Sequence, residues 1–177
     1  MTQKRPLKGD YADYYEKYIA LVPSGDFLEF LQEQRQDLLN LLSPLNEQQA
    51  EFRYGPDKWS IKEVVGHIND AERIFAYRLL RFSRGDQTPL ASFEQDGYIK
   101  TGKFEARTLK ELLDEFAAIR ESTILLVRSM DAEAWLRRGV ASQKEITTTA
   151  LAFIIAGHVK HHQVIIKERY LQARAHA

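Results

Sequence analysis

The sequence predicts an all-α fold, a four-helix bundle with long connections, on three observations. Four segments of the 177-residue chain carry apolar residues at helical spacing. Two of them open on a Ser/Thr-x-x-Glu capping box, Ser60-Ile61-Lys62-Glu63 and Thr108-Leu109-Lys110-Glu111. No segment shows a convincing strand pattern. Four amphipathic stripes are buried together in an antiparallel bundle.

Taken in order, residues 1–23 read as an N-terminal lead-in, irregular apart from a short helix. Tyr11, Tyr14, Tyr15 and Tyr18 are spaced to pack one aromatic face onto the domain. The bundle domain spans residues 24–172. Ser24-Gly25-Asp26 signals the first helix, whose stripe runs from Phe27 through Leu31 and Leu38 to Leu42, with Pro44 beyond it. Residues 46–57 connect it to the second helix, which Ser60 opens and Gly85 closes. Trp59 is expected to staple the entrance of that helix. Residues 85–107 form a long connection, of the kind that in a compact domain often carries function. It holds Glu94 and Asp96, expected to be solvated unless they cover a pocket mouth. The third helix follows Thr108 to about residue 130. Residues 131–135 add a turn, and residues 139–146 read as a loop. The last helix covers residues 147–170. Residues 173–177 are a loose tail that includes His176. Two connections exceed 12 residues, so the helices need not follow a plain up-and-down series.

Composition narrows the function. Apolar residues are 44% and charged residues 28%, a globular balance with enough apolar surface for a core. Lys plus Arg and Asp plus Glu each number 25, so no net charge draws the chain to nucleic acid or an anionic membrane. Arg73, Arg78, Arg81 and Arg84 form a basic series, but helical spacing spreads them around the helix, and a solvated face is expected. There is no cysteine, which excludes disulfides and thiolate ligands. No apolar run is long enough to span a membrane, and the start of the chain is polar, so a cytoplasmic location is expected.

The chemistry concentrates in Gly157-His158-Val159-Lys160-His161-His162. On a helical wheel, Leu151, Ile154, Ile155, Ile165 and Ile166 share an arc of roughly 120°. His158 and His162 fall near its middle, and His161 at its edge. Each imidazole buried without a partner costs about 1–3 kcal/mol. Two readings satisfy the pair: hydrogen-bonded core histidines, or the i, i+4 spacing by which a helix offers two imidazoles to one metal ion. A third ligand has to come from elsewhere, and His67 is the other histidine in a helical segment.

These residues resemble the DinB-like four-helix-bundle proteins, which include metal-dependent hydrolases and thiol-dependent transferases and isomerases. The likeness covers about residues 26–170. Its specific parts are Lys58-Trp59-Ser60-Ile61-Lys62-Glu63-Val64-Val65-Gly66-His67 and the His158-x-x-x-His162 pair. The resemblance implies His67, His158 and His162 as ligands of a divalent metal ion, often nickel or zinc, a small-molecule substrate such as a low-molecular-weight thiol, and a homodimer; imidazole ligands by themselves leave iron and copper open as well. Three neutral imidazoles form an open, catalytic-type set. Glu72 and Asp70 are the weaker catalytic candidates. For Asp70 the competing role is an exposed helix acid. For Glu72, inside an apolar arc, it is a partner for a buried arginine such as Arg120. A hydrolase or thiol S-transferase is the expected activity. The alternatives are a metal-stapled bundle without catalysis and an interaction module.

Overall fold

Side-chain caps start each long helix, at Asp26, Ser60 and Thr108 as the sequence predicts and also at Thr147. In the computed structural model, which describes residues 3–172, Asp26 accepts from the Leu28 and Glu29 amides and opens α2 (Phe27–Leu42). Ser60 and Glu63 form a reciprocal capping box at α4 (Ile61–Ser83), as do Thr108 and Glu111 at α6 (Leu109–Arg128). Thr147 caps α8 (Thr148–Ile165), which runs on as a π-helical segment, Ile166–Leu171. Shorter helices fill the connections: α1 (Glu16–Ile19), α3 (Glu47–Ala50), α5 (Gln95–Gly102) and α7 (Ala132–Leu136).

Helix α8 packs on α4, α4 on α6, α6 on α2, and α2 returns to α8. The consecutive long helices α2 and α4 are therefore not the main packing neighbours. The long connections make that ordering possible.

Two apolar clusters fill the bundle. One holds Leu31, Phe75, Leu79, Ile124 and Ile154, and the other Leu38, Val65, Leu112, Phe116 and Val159. Between them lies a buried polar layer. Arg120 on α6 is fully buried and donates to both Glu72 oxygens, at 2.8 and 2.7 Å. It also donates to Gln34 Oε1 at 2.6 Å, and Gln34 Nε2 donates to the Ala156 carbonyl at 2.9 Å. One network thus ties all four long helices together.

The stretch expected as a loop at residues 139–146 is instead a hairpin, β1 (Arg138–Ala141) against β2 (Lys144–Thr147). Its turn residues, Ser142 and Gln143, both have positive φ (53° and 63°), the left-handed pair of a tight hairpin turn. Leu90 adds to the hairpin edge: its amide donates to the Val140 carbonyl and its carbonyl accepts from the Ser142 amide. The long connection at residues 85–107 is likewise not structureless, since it contains α5 and a 3-10 turn, Phe104–Ala106.

Tyr11, Tyr15 and Tyr18 pack onto the domain, as expected, whereas Tyr14 is largely exposed. Helix α1 lies on α8, and a Cβ on Gly157 would sit 2.0 Å from the Tyr18 carbonyl oxygen. Because that neighbour is backbone, Gly157→Ala must push α1 away. We expect a net loss of stability of about 1–3 kcal/mol despite alanine's better helix propensity, measured as a lower Tm. Among the described residues, no helix is long and apolar enough to cross a membrane. His176 and the 173–177 tail lie outside the described residues.

Candidate metal centre

His67 is carried by the second turn of α4, and His158 and His162 by consecutive turns of α8. Because α4 and α8 pack directly, the three rings meet. His67 Nε2 lies 3.0 Å from His158 Nε2, and His162 Nε2 lies 3.2 Å from the same atom. Each residue offers a ring nitrogen within 4.8 Å of the other two. Three ligands at 2.0–2.1 Å around a tetrahedral ion stand about 3.3 Å apart. The two short contacts suit a shared ion. They suit mutual hydrogen bonding less well, because the shared His158 Nε2 carries either one hydrogen or one in-plane lone pair and cannot pair with both neighbours.

All three residues are buried. Burial lowers the His67 pKa to about 4 and holds His158 and His162 well below the ordinary imidazole value, with neighbouring imidazoles adding to each shift. The rings are therefore neutral at pH 7, the form that binds a metal. The stability consequence has a definite sign. Above the unfolded value of 6.5 both states are neutral and the contribution is complete. As pH falls from 6.5 toward 4 the unfolded chain takes up protons that the folded chain refuses. Each histidine then costs up to about 1.4 kcal/mol per pH unit. Metal-free protein should show a Tm that is flat above pH 7 and drops steeply from pH 6 to 5, which a thermal melt series at fixed ionic strength measures.

A cavity of about 230 Å³ opens beside the triad. Its wall includes His67, His158, Tyr15, Tyr18, Phe75 and Arg78. The Leu90 segment and the hairpin turn complete it with Phe93, Glu94 and Ser142. The Tyr18 ring stands edge-on to His158 and to His161, each at 5.3 Å. A second opening, of about 270 Å³, reaches His162 between Trp59, Ile165 and Tyr170. Trp59 also lies 4.9 Å from the His67 ring, so it walls the site besides packing at the helix entrance. His161 is half-buried at the rim.

None of the acidic candidates joins the histidine cluster. Asp70 is half-buried and faces Arg73 at 3.8 Å, and Glu72 is committed to Arg120. Glu94 lines the first cavity and Asp96 the second. Among the described residues the cluster that could hold a metal ion contains the three histidines and no fourth protein ligand. The expected solvated basic face is corrected at one position. Arg73 and Arg81 do pair with Glu115 and Asp86 at the surface, but Arg78 is buried in the cavity wall. The signal was present: Arg78 continues the Ile68, Ala71, Phe75, Leu79, Phe82 stripe. Tyr18 and Ser142 gave no comparable signal, because their place depends on how α1 and the hairpin dock.

The comparisons with known proteins agree with this architecture. The profile of the DinB superfamily matches residues 31–166. Among solved structures, YfiT from Bacillus subtilis, described as "a probable metal-dependent hydrolase with an unusual four-helix bundle topology", superposes with a TM-score of 0.76 at 15% identity. The match covers 97% of this chain and 94% of that one, and at this identity it shows the fold. No curated protein matches. With the family profile spanning most of its length and a YfiT-like bundle beneath it, the chain belongs to the DinB superfamily.

Proposed function

We propose that the protein is a metal-dependent enzyme acting on small molecules, with His67, His158 and His162 as the ligands of one divalent cation and hydrolysis as the reaction. One observation carries this reading: three buried imidazole nitrogens converge, with His67 and His158 on one cavity wall and His162 on the other opening, and no fourth protein ligand joins them among the described residues. A structural site is closed by four protein ligands, whereas three imidazoles leave a position for a reactant. Zinc, nickel and iron all suit such a set. A cation bound there supplies Lewis acidity, polarising a carbonyl or bringing water within reach of ionisation near neutral pH. The relative's description as "a probable metal-dependent hydrolase" supports the same class.

The chain's own residues bind and shield. Tyr15, Tyr18, Phe75 and Phe93 give the cavity an aromatic wall beside the triad. Burial raises the pKa of both Tyr15 and Tyr18, so their hydroxyls stay protonated and able to donate. Glu72 is held by Arg120 and serves the fold.

Thiol transfer is the second reading. The chain has no thiol to compete with a substrate's, and the opening at His162 gives a second reactant its own approach. Elemental analysis of untagged protein, then assay of the metal-loaded form on an ester and amide panel and on thiols with electrophiles, tests both. Metal-dependent ester or amide cleavage is the expected result. Thiol consumption without cleavage favours transfer, and a metal-loaded protein inert to both panels contradicts an enzyme.

A further inference from the structure

Among the described residues, two arginines are buried to 3% exposure or less, and they are held differently. Arg120 has Glu72 as its counter-charge. Arg78 has none. Its guanidinium donates to the Ala91 carbonyl at 2.7 Å and the Ser142 hydroxyl at 3.2 Å, and the Tyr15 hydroxyl lies beside it. All three partners are neutral, and among the described residues no carboxylate lies within ion-pairing distance. A desolvated cation without a counter-ion is unfavourable unless something anionic completes it. Burial lowers the Arg78 pKa, but a guanidinium remains charged at neutral pH.

The position of this cation matters. Arg78 shares the cavity wall with His67 and His158, and the Phe75 and Phe93 rings each lie 5.9 Å from its guanidinium carbon. Two of its five N–H donors meet Ala91 and Ser142, which leaves donors for a ligand. The carboxylate on the same wall, Glu94, accepts from the Asp96 and Gly97 amides at 2.9 and 2.6 Å and is exposed. It caps α5 and leaves Arg78 unpaired.

We propose that Arg78 binds the carboxylate of a small organic acid and presents the rest of that molecule to the three-histidine site. The use made of the acid rests on the metal reading above; its capture does not. A single guanidinium matches a single negative charge. A phosphate dianion would need a second cation or free helix amides, and the helix N-terminus at this cavity is already capped by Glu94. The volume admits a small molecule, and the aromatic wall suits an apolar or unsaturated body.

The test uses the full chain freed of metal by chelation, so that a carboxylate cannot be captured by a bound ion. Benzoate, propionate, the matching amides and inorganic phosphate are titrated while the Arg78 side-chain and Ser142 amide NMR signals are followed. The expected result is that each acid binds at least tenfold tighter than its amide and shifts the Arg78 signal. Arg78→Gln should abolish that preference, and Arg78→Lys should retain most of it. Equal binding of acid and amide by the unaltered protein overturns the proposal without reference to any variant. Undiminished benzoate binding by Arg78→Gln does so too, and phosphate binding tighter than benzoate overturns the carboxylate assignment. Zinc uptake is measured separately on the same proteins. Normal uptake without acid preference overturns this proposal alone. Acid preference without uptake overturns the metal reading and leaves the anion site standing.

Discussion

His158→Ala should abolish stoichiometric metal binding while leaving a folded bundle. His158 is the ring that both others approach, at 3.0 and 3.2 Å, so its loss removes the centre of the cluster as well as one ligand. Altering a group that merely orients a ligand costs 10–100-fold in metal affinity, and removing the ligand should exceed about 100-fold. The fold should survive, because α8 keeps Leu151, Ile154, Ile155 and Val159 in the core. Competition against a chromophoric chelator measures the affinity, and circular dichroism checks the helices. His161→Ala is the control. That ring is half-buried at the rim and outside the cluster, so metal binding should stay within a few-fold of the unaltered protein.

Arg120→Met should destabilise the protein by about 3–5 kcal/mol, the cost of stranding a buried charge, here that of Glu72. The pair Glu72→Leu with Arg120→Met should recover most of that loss, because replacing both partners leaves no charge to strand. Urea unfolding of the single and double variants measures both effects. Recovery in the double variant assigns Glu72 to the fold. Were Glu72 a general base, the double variant would be stable yet inactive, so the hydrolysis assay on it separates the two roles.

Much of this was legible in local chemistry. Ser60, Thr108 and Asp26 mark helix starts because a cap needs a short side-chain oxygen followed by free amides. His158 and His162 stand out because the helical repeat places them where an apolar residue belongs. The Glu72–Arg120 pair is foreshadowed by two charges at core positions. What stayed hidden depends on docking or on unusual turns. The hairpin turn uses Ser142-Gln143, without the Asn-Gly or Asp-Gly that usually marks two residues of positive φ. Helix α5 carries Gly97 and ends at Gly102, which lowers its helical signal. Arg78 belongs to a surface series by composition and to the core by spacing, and the spacing decides. The order of helices around the bundle is set by long connections that leave no local trace.

The proposed enzyme requires one divalent cation among His67, His158 and His162 with a position open to the cavity. Metal-edge X-ray absorption on untagged protein loaded with one equivalent of nickel or zinc tests it most directly. The expected result is one ion per chain, three imidazole nitrogens at about 2.0–2.1 Å, and a further ligand that exchanges with added small anions. Fewer than three imidazoles, or a shell closed by a fourth protein ligand, would contradict it.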